Sequence, residues 1–316
     1  MTTFLVMDGN NLLYRIIKGK TYPKLTTSSG IPTGGVYGFL QSAHKLYAGL
    51  FPDYGIVVFD GGISSRRKAL YPAYKEYVAD PDQEDVREEF YTQKNFISVI
   101  LGGLGIPTIE FAGREADDVI LHIVHYLTKL EAGFTKIVVV SEDMDLCQCI
   151  QCSIPGKCEV ELHRPVRDLV LDRRNLDEHL GYPQQYYKWY KSLVGKTREF
   201  DGIPGIGKKT AIALINEAHE KGKTLFELVS GRKGKRYDTL TAQINKFYIG
   251  LAVGDLFLEE FTEDERDIIF TAIRATGMTA SQWQEDVKVM AHTLELHSIV
   301  SEWASWTKPF MDATRR

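Results

Sequence analysis

The feature that most constrains the fold is a set of short apolar runs that each end on acid. Phe4-Leu5-Val6-Met7-Asp8, Ile56-Val57-Val58-Phe59-Asp60 and Ile137-Val138-Val139-Val140-Ser141-Glu142-Asp143-Met144-Asp145 share this form. Such runs have strand length, and their unbroken apolarity suits strands buried on both faces. Helix-like stretches separate them. Val36 to Leu50 carries Phe39, Leu40, Ala43, Leu46 and Tyr47 at helical spacing, and Asp85 to Leu104 carries Val86, Phe90, Phe96, Ile97 and Ile100. Gly105-Ile106-Pro107 breaks the second before a short strand, Thr108-Ile109-Glu110-Phe111. Alternation of strand and helix through residues 4–145 predicts an α/β fold: a parallel sheet covered by helices on both faces. Residues 159–163 and 169–171 could each add a short strand. From about residue 176 the pattern is helical.

In open α/β sheets a ligand site lies outside the carboxyl ends of the strands. Asp8, Asp60, Asp143 and Asp145 are therefore delivered to one edge. Gly113-Arg114-Glu115-Ala116-Asp117-Asp118-Val119-Ile120 adds three more carboxylates at the start of a helix. Acid suits a first helical turn, where free N–H groups leave partial positive charge. Three acids exceed that need. Two unit charges about 4 Å apart repel by roughly 4 kcal/mol at an effective dielectric near 20. Such a cluster takes up protons or binds divalent cations. All-oxygen donors point to Mg²⁺ or Mn²⁺.

The chain has a formal net charge of −4, which argues against a broadly basic coat but says nothing of local patches. From Tyr186 to Thr210, however, Lys188, Lys191, Lys196, Arg198, Lys208 and Lys209 face only Glu199 and Asp201, a local net charge of +4. Within it, Ile203-Pro204-Gly205-Ile206-Gly207-Lys208-Lys209-Thr210 has glycines for a tight hairpin and then a helix start. Free N–H groups there can bind phosphate without reading sequence. A second basic stretch, Ser64 to Asp85, interleaves Arg66, Arg67, Lys68 and Lys75 with Tyr71, Tyr74 and Tyr77. Cations hold phosphates and rings stack bases, as single-stranded nucleic acid requires; a solvated amphipathic helix would look similar. Gly231 to Arg236 is a further basic loop, and Glu259 to Asp267 reads as an acidic solvated loop or helix start. The four cysteines, Cys147, Cys149, Cys152 and Cys158, match none of the paired zinc spacings and read as small buried residues. No apolar run of about 18 residues exists for a membrane span, and the N-terminus carries no signal-peptide pattern. A cytosolic protein, without a membrane partner, is expected.

With these residues assembled, the chain resembles the flap endonuclease and 5′–3′ exonuclease family, including the 5′ nucleases of bacteriophages and of bacterial DNA polymerase I. The resemblance covers about residues 4–215. It rests on Met7-Asp8-Gly9-Asn10, Phe59-Asp60, Glu115-Ala116-Asp117-Asp118, Asp143-Met144-Asp145, Leu193-Val194-Gly195 and the Gly205-Ile206-Gly207-Lys208-Lys209-Thr210 hairpin. It implies a three-layer, PIN-like nuclease domain over residues 1–180 and a helix–hairpin–helix and helical region over 181–316. It implies two divalent ions held by Asp8, Asp60, Glu115, Asp117, Asp118, Asp143 and Asp145, with Asp201 a further candidate. Arg67, Tyr74 and Lys75 would act near the scissile phosphate. Gly205, Gly207, Lys208, Lys209 and Thr210 would grip duplex DNA, with K⁺ possible at the hairpin. The implied activity is metal-dependent phosphodiester hydrolysis on DNA with 5′ ends, flaps or junctions, by a monomer. One departure stands out. The family usually reads Leu-Val-Gly-Asp-x-x-Asp before the hairpin, and here Lys196 replaces the first aspartate while Glu199 takes the spacing of the second. Lys196 also counts among the DNA-binding candidates: it is expected to reach toward Asp143 and Asp145, partly standing in for a cation, with a contact to a DNA phosphate as the rival reading. Two rivals remain: a PIN-like ribonuclease, which would not need the hairpin, and a DNA-binding protein whose chemistry has weakened, which Lys196 would suit.

Overall fold

A computed structural model describes residues 2–19, 25–76, 81–130, 133–196, 199–277 and 281–313. Tyr77 and Arg198 lie outside these residues. The strands are β1 (Thr3–Asp8), β2 (Tyr54–Val58), β3 (Thr108–Ile109), β4 (Lys136–Val140), β5 (Glu159–Arg164) and β6 (Leu169–Leu171). They form one sheet in the order β3-β2-β1-β4-β5-β6. All pairings are parallel except β5 with β6, which is antiparallel. The chain steps outward in one direction from β1 to β3 and in the other from β4 to β6. The crevice between β1 and β4 is thus the switch point where such sheets bind ligands.

Alternate residues of the central strands serve opposite layers. Phe4, Val6, Ile56, Val58, Ile137 and Val139 face a core made with the helix Ala116–Lys129, the 3-10 helix Met144–Cys152 and the helix Glu263–Ala275. Leu5, Met7, Val57, Val138 and Val140 face the other layer, which includes the helices Gly34–Leu50, Pro81–Gly103, Ser281–Thr293 and Trp303–Ala313. The last helices of the chain therefore return to the sheet. A third core lies apart from it and joins the helices Tyr187–Val194, Lys208–Glu220, Leu225–Val229, Lys235–Ala242 and Ile244–Gly254.

The acidic stretch is a helix start with Glu260, Glu263, Asp264 and Asp267 exposed, and it departs from its solvated reading at Glu259. Thr262 and Glu265 form a capping box that starts the helix Glu263–Ala275, but Glu259 is buried and pairs with Arg66 and Arg114. All four cysteines are buried and unbridged, as small core residues are. No helix among the described residues is long and apolar enough to cross a membrane.

Candidate active site

Local chemistry explains why the acids converge. β1 ends at Asp8, whose Oδ1 accepts from the Asn11 amide at 2.9 Å and so caps the helix Gly9–Lys18. Asp60, just past β2, accepts from the Ala116 amide at 2.6 Å, so it caps a helix that belongs to another segment. Glu115 is the N-cap residue of that helix, with Asp117 and Asp118 in its first turn. Asp143 is the N-cap of the 3-10 helix and accepts from the Asp145 amide at 3.0 Å. Asp8, Asp60 and Asp143 thus each accept from the backbone of a helix start, and these helix starts meet at one sheet edge. Asp8, Asp60, Glu115, Asp117 and Asp143 line one open cleft of about 250 Å³ together with Asn10, Tyr14, Lys75 and Glu199.

On one side of the cleft two acids, Asp8 and Asp60, have only neutral donors. Asp8 Oδ2 accepts from the Ser141 hydroxyl at 2.7 Å, and Asp60 Oδ2 from Asn10 Nδ2 at 2.6 Å. Burial, with little to offset it, pushes the Asp8 carboxyl up to about 7 and that of Asp60 up to about 6. Groups that resist ionisation beside one another suit a bound cation. Glu115, Asp117 and Asp118 each offer an oxygen within 4.8 Å of the others. The cleft-lining donors are oxygens, without sulfur or imidazole, so the residues fit a hard divalent ion.

On the other side the acids are paired with lysine. Asp145 Oδ2 accepts from Lys191 Nζ at 2.5 Å and Lys196 Nζ at 3.1 Å. Lys196 also reaches Asp143 Oδ2 at 3.1 Å and Glu199 Oε1 at 2.8 Å. Burial alone would raise the Asp145 carboxyl, but Lys191 and Lys196 outweigh it and hold the group below its ordinary value. Burial would lower Lys196, and Asp145, Asp143 and Glu199 overcome it and raise the ammonium well above its usual range.

A sharp crossing aims this segment. Gly195 has φ 79° and Gly202 has φ 69°. A Cβ on Gly195 would lie 2.5 Å from the Phe200 carbonyl oxygen, and one on Gly202 would lie 2.5 Å from the Val194 carbonyl carbon. Only glycine fits either position. The turn that follows bridges Lys196 to Phe200 and turns Glu199 inward.

Three expected site residues stand elsewhere. Arg67 does not face the cleft: it is 2% exposed, and its guanidinium bonds Glu115 at 2.8 Å, Asp118 at 2.6 Å, Asp117 at 3.4 Å and the Val253 carbonyl at 3.1 Å. With Glu115 and Asp118 on one face of the helix start, a guanidinium fork closes on both. Tyr74 is also buried, and its hydroxyl donates to Glu115 Oε2 at 2.9 Å. Asp201 is no ligand candidate. Its side chain is 77% exposed and accepts from the Tyr71 hydroxyl at 2.9 Å, because it lies beyond the turn that carries Glu199 inward. The reading as a base-stacking ring does not hold for Tyr74, which is buried; Tyr71 is half-buried with its ring edge against Phe200, and Tyr77 lies outside the described residues. Lys75 does line the cleft, held with φ 45° and its Nζ 2.8 Å from Glu115.

Asp118 is fully buried behind Arg67, and its Oδ2 has no hydrogen-bond partner among the described residues. Gly205, Gly207, Lys208 and Lys209 are exposed together, and Thr210 is half-buried. Gly207 is the N-cap of the helix Lys208–Glu220 without a side-chain cap, so the first N–H groups of that helix stay open. Residue patterns alone missed Asn10, Ser141, Tyr187 and Lys191. Asn10 had a signal in the polar turn directly after Asp8. Lys191 had only its membership of the basic stretch Tyr186–Thr210, which pointed to phosphate and not to Asp145.

The family model described as 5′-3′ exonuclease, N-terminal resolvase-like domain, matches residues 3–179. A 5′-3′ exonuclease of Aquifex aeolicus is 32% identical over 218 residues, 69% of this chain and 70% of that protein. A DNA polymerase I of Caldicellulosiruptor bescii is 33% identical over 215 residues, 67% of this chain but 24% of the polymerase. The chain therefore spans about a quarter of that relative. In fold, it is similar to a bacteriophage T5 5′-exonuclease with zinc bound, with a TM-score of 0.64, 20% identity and coverage of 92% of this chain and 98% of that one. A bacteriophage T5 flap endonuclease in complex with DNA and metal ions gives a TM-score of 0.62, also at 20% identity, over 99% of this chain and 100% of that one.

Proposed function

The chain belongs to the 5′-3′ exonuclease family, and we propose that it hydrolyses phosphodiester bonds in DNA bearing 5′ ends or flaps, with Mg²⁺ or Mn²⁺. The observation that carries this reading is the cleft itself: acids from five chain segments at the switch point of the sheet, with Lys75 on its wall. The names of the relatives, 5′-3′ exonuclease and flap endonuclease, support the choice of substrate.

Asp8, Asp60, Glu115 and Asp117 would hold the ion. When bound, a divalent ion supplies an activated water at neutral pH and neutralises charge on the phosphate. Ser141 and Asn10 fix the orientations of Asp8 and Asp60, as partners behind metal ligands do. Lys75 sets an ammonium where charge develops on the phosphate oxygens. Arg67 and Tyr74 position Glu115 and do not touch substrate. Across the third core, the open helix start at Gly207 to Thr210 clamps duplex backbone, and the same turn is the place for a K⁺ ion. We read residues 1–180 as the nuclease part and the hairpin after 181 as the DNA-gripping part.

The test is cleavage of end-labelled DNA carrying a 5′ flap, with Mg²⁺ and with a chelator. Cleavage at the 5′ side that disappears with chelator supports the reading. Binding without cleavage would make the chain a structure-binding protein, and cleavage of single-stranded RNA in preference to DNA would make it a ribonuclease.

A further inference from the structure

Asp143 and Glu199 line the same cleft as Asp8 and Asp60, and Asp145 is buried two residues from Asp143, yet the oxygens of all three are already engaged. Asp145 Oδ1 accepts from the Tyr187 hydroxyl at 2.7 Å, and its Oδ2 from both Lys191 and Lys196. Asp143 Oδ1 accepts from the Asp145 amide at 3.0 Å, and Lys196 approaches its Oδ2 at 3.1 Å. Glu199 is held by Lys196 through Oε1 at 2.8 Å and by Lys191 through Oε2 at 3.3 Å. Two ammonium groups thus sit among three carboxylates. Mg²⁺ binds oxygen at about 2.0–2.1 Å in near-octahedral geometry. To take Asp145 Oδ2 at that distance an ion would have to displace both lysines. Asp145 is buried, and Lys191 is mostly so, with a side chain 15% exposed. Removing an ammonium from a buried carboxylate leaves an uncompensated buried charge. Asp8 and Asp60, by contrast, meet only hydroxyl, amide and carboxamide donors.

We propose that Lys191 and Lys196 are the built-in cations of this cleft: they hold the Asp143–Asp145–Glu199 side closed to divalent ions, so the chain binds a single divalent ion, on the Asp8–Asp60 side. Lys191, the more buried, is a positioning residue that fixes Asp145 and Glu199. Lys196, with a side chain 40% exposed, presents the positive charge to the cleft. The role in DNA cleavage rests on the nuclease reading above, but the ion count does not.

The experiment is a Mn²⁺ titration of the full chain without DNA, with free Mn²⁺ counted by electron paramagnetic resonance. The native chain should bind one ion. Lys191→Met combined with Lys196→Met, which leaves three carboxylates without their cations, should bind two. Two ions on the native chain would overturn the proposal, and so would a single ion on a folded double variant. Lys196→Asp is the second variant, should the double one fail to fold by circular dichroism. It should likewise gain an ion, and a count that stays at one would overturn the proposal. A native chain that binds one Mn²⁺ but cleaves no DNA would refute the nuclease reading and leave this inference standing.

Discussion

The two sides of the cleft are built from the same residue type and behave as opposites. Asp8 and Asp60 are buried against neutral donors, and burial drives their carboxyls upward. Asp145 is equally buried, and two lysines drive it downward. Burial therefore does not decide what a carboxylate does; the charge of its neighbours does. A side left without a cation is unfinished until an ion arrives, and a side supplied with two is complete as folded. Arg67, which faces neither side, ties down the acid helix while leaving Asp8 and Asp60 uncompensated.

The largest effect expected from this contrast is on the uncompensated side. Asp8→Asn should lower Mg²⁺-dependent cleavage by more than about 100-fold, beyond the loss typical of a partner behind a metal ligand. DNA affinity should hold or rise as a charge that repels phosphate is removed. Parallel cleavage and gel-shift assays on one preparation measure both, and near-native cleavage would break the division of the cleft.

A smaller effect, now on stability, is expected at Arg67. Arg67→Met leaves Asp118 buried without its cation and Glu115 with Lys75 alone, and breaking a buried pair from one side costs about 3–5 kcal/mol. Urea unfolding of the chelated protein tests it. A loss under 1 kcal/mol would mean that the guanidinium does not hold the acid helix as the distances indicate.

The smallest is a slope with pH. Asp8 in the metal-free fold holds its proton up to about 7, against about 3.9 for a free aspartate. Between these values the folded state binds a proton that the unfolded state does not, so this contribution favours folding at low pH and is lost as pH rises through 7. The Asp145 contribution has the opposite sign and fades only below the ordinary carboxylate range. Melting of chelated native protein and of Asp8→Asn, compared from about pH 5 to 8, should show the gap between them change across that window. A constant gap would remove the contrast drawn here.

Much of this was legible before any coordinates. Strands β1, β2 and β4 follow from apolar runs, and the acids at their ends follow from the rule that parallel sheets carry their sites there. The hairpin follows from glycine spacing. Lys196 reaches toward Asp143 and Asp145 as its replacement of an acid suggested. These features are local, and a short stretch of chain contains the whole reason for them. What only the tertiary structure decided is where long side chains end. Arg67 reads as a phosphate contact until it is seen bonded to the Val253 carbonyl, 186 residues away, with its fork closed on the acid helix. Glu199 and Asp201 are two residues apart, yet one turns into the cleft and the other out to Tyr71, because the Lys196–Phe200 bridge lies between their directions. Lys191 carries no motif, and it meets Asp145 only because the helix before the hairpin packs beside the end of β4. Charge pairing at a few ångströms depends on that packing, and no pattern along the chain encodes it.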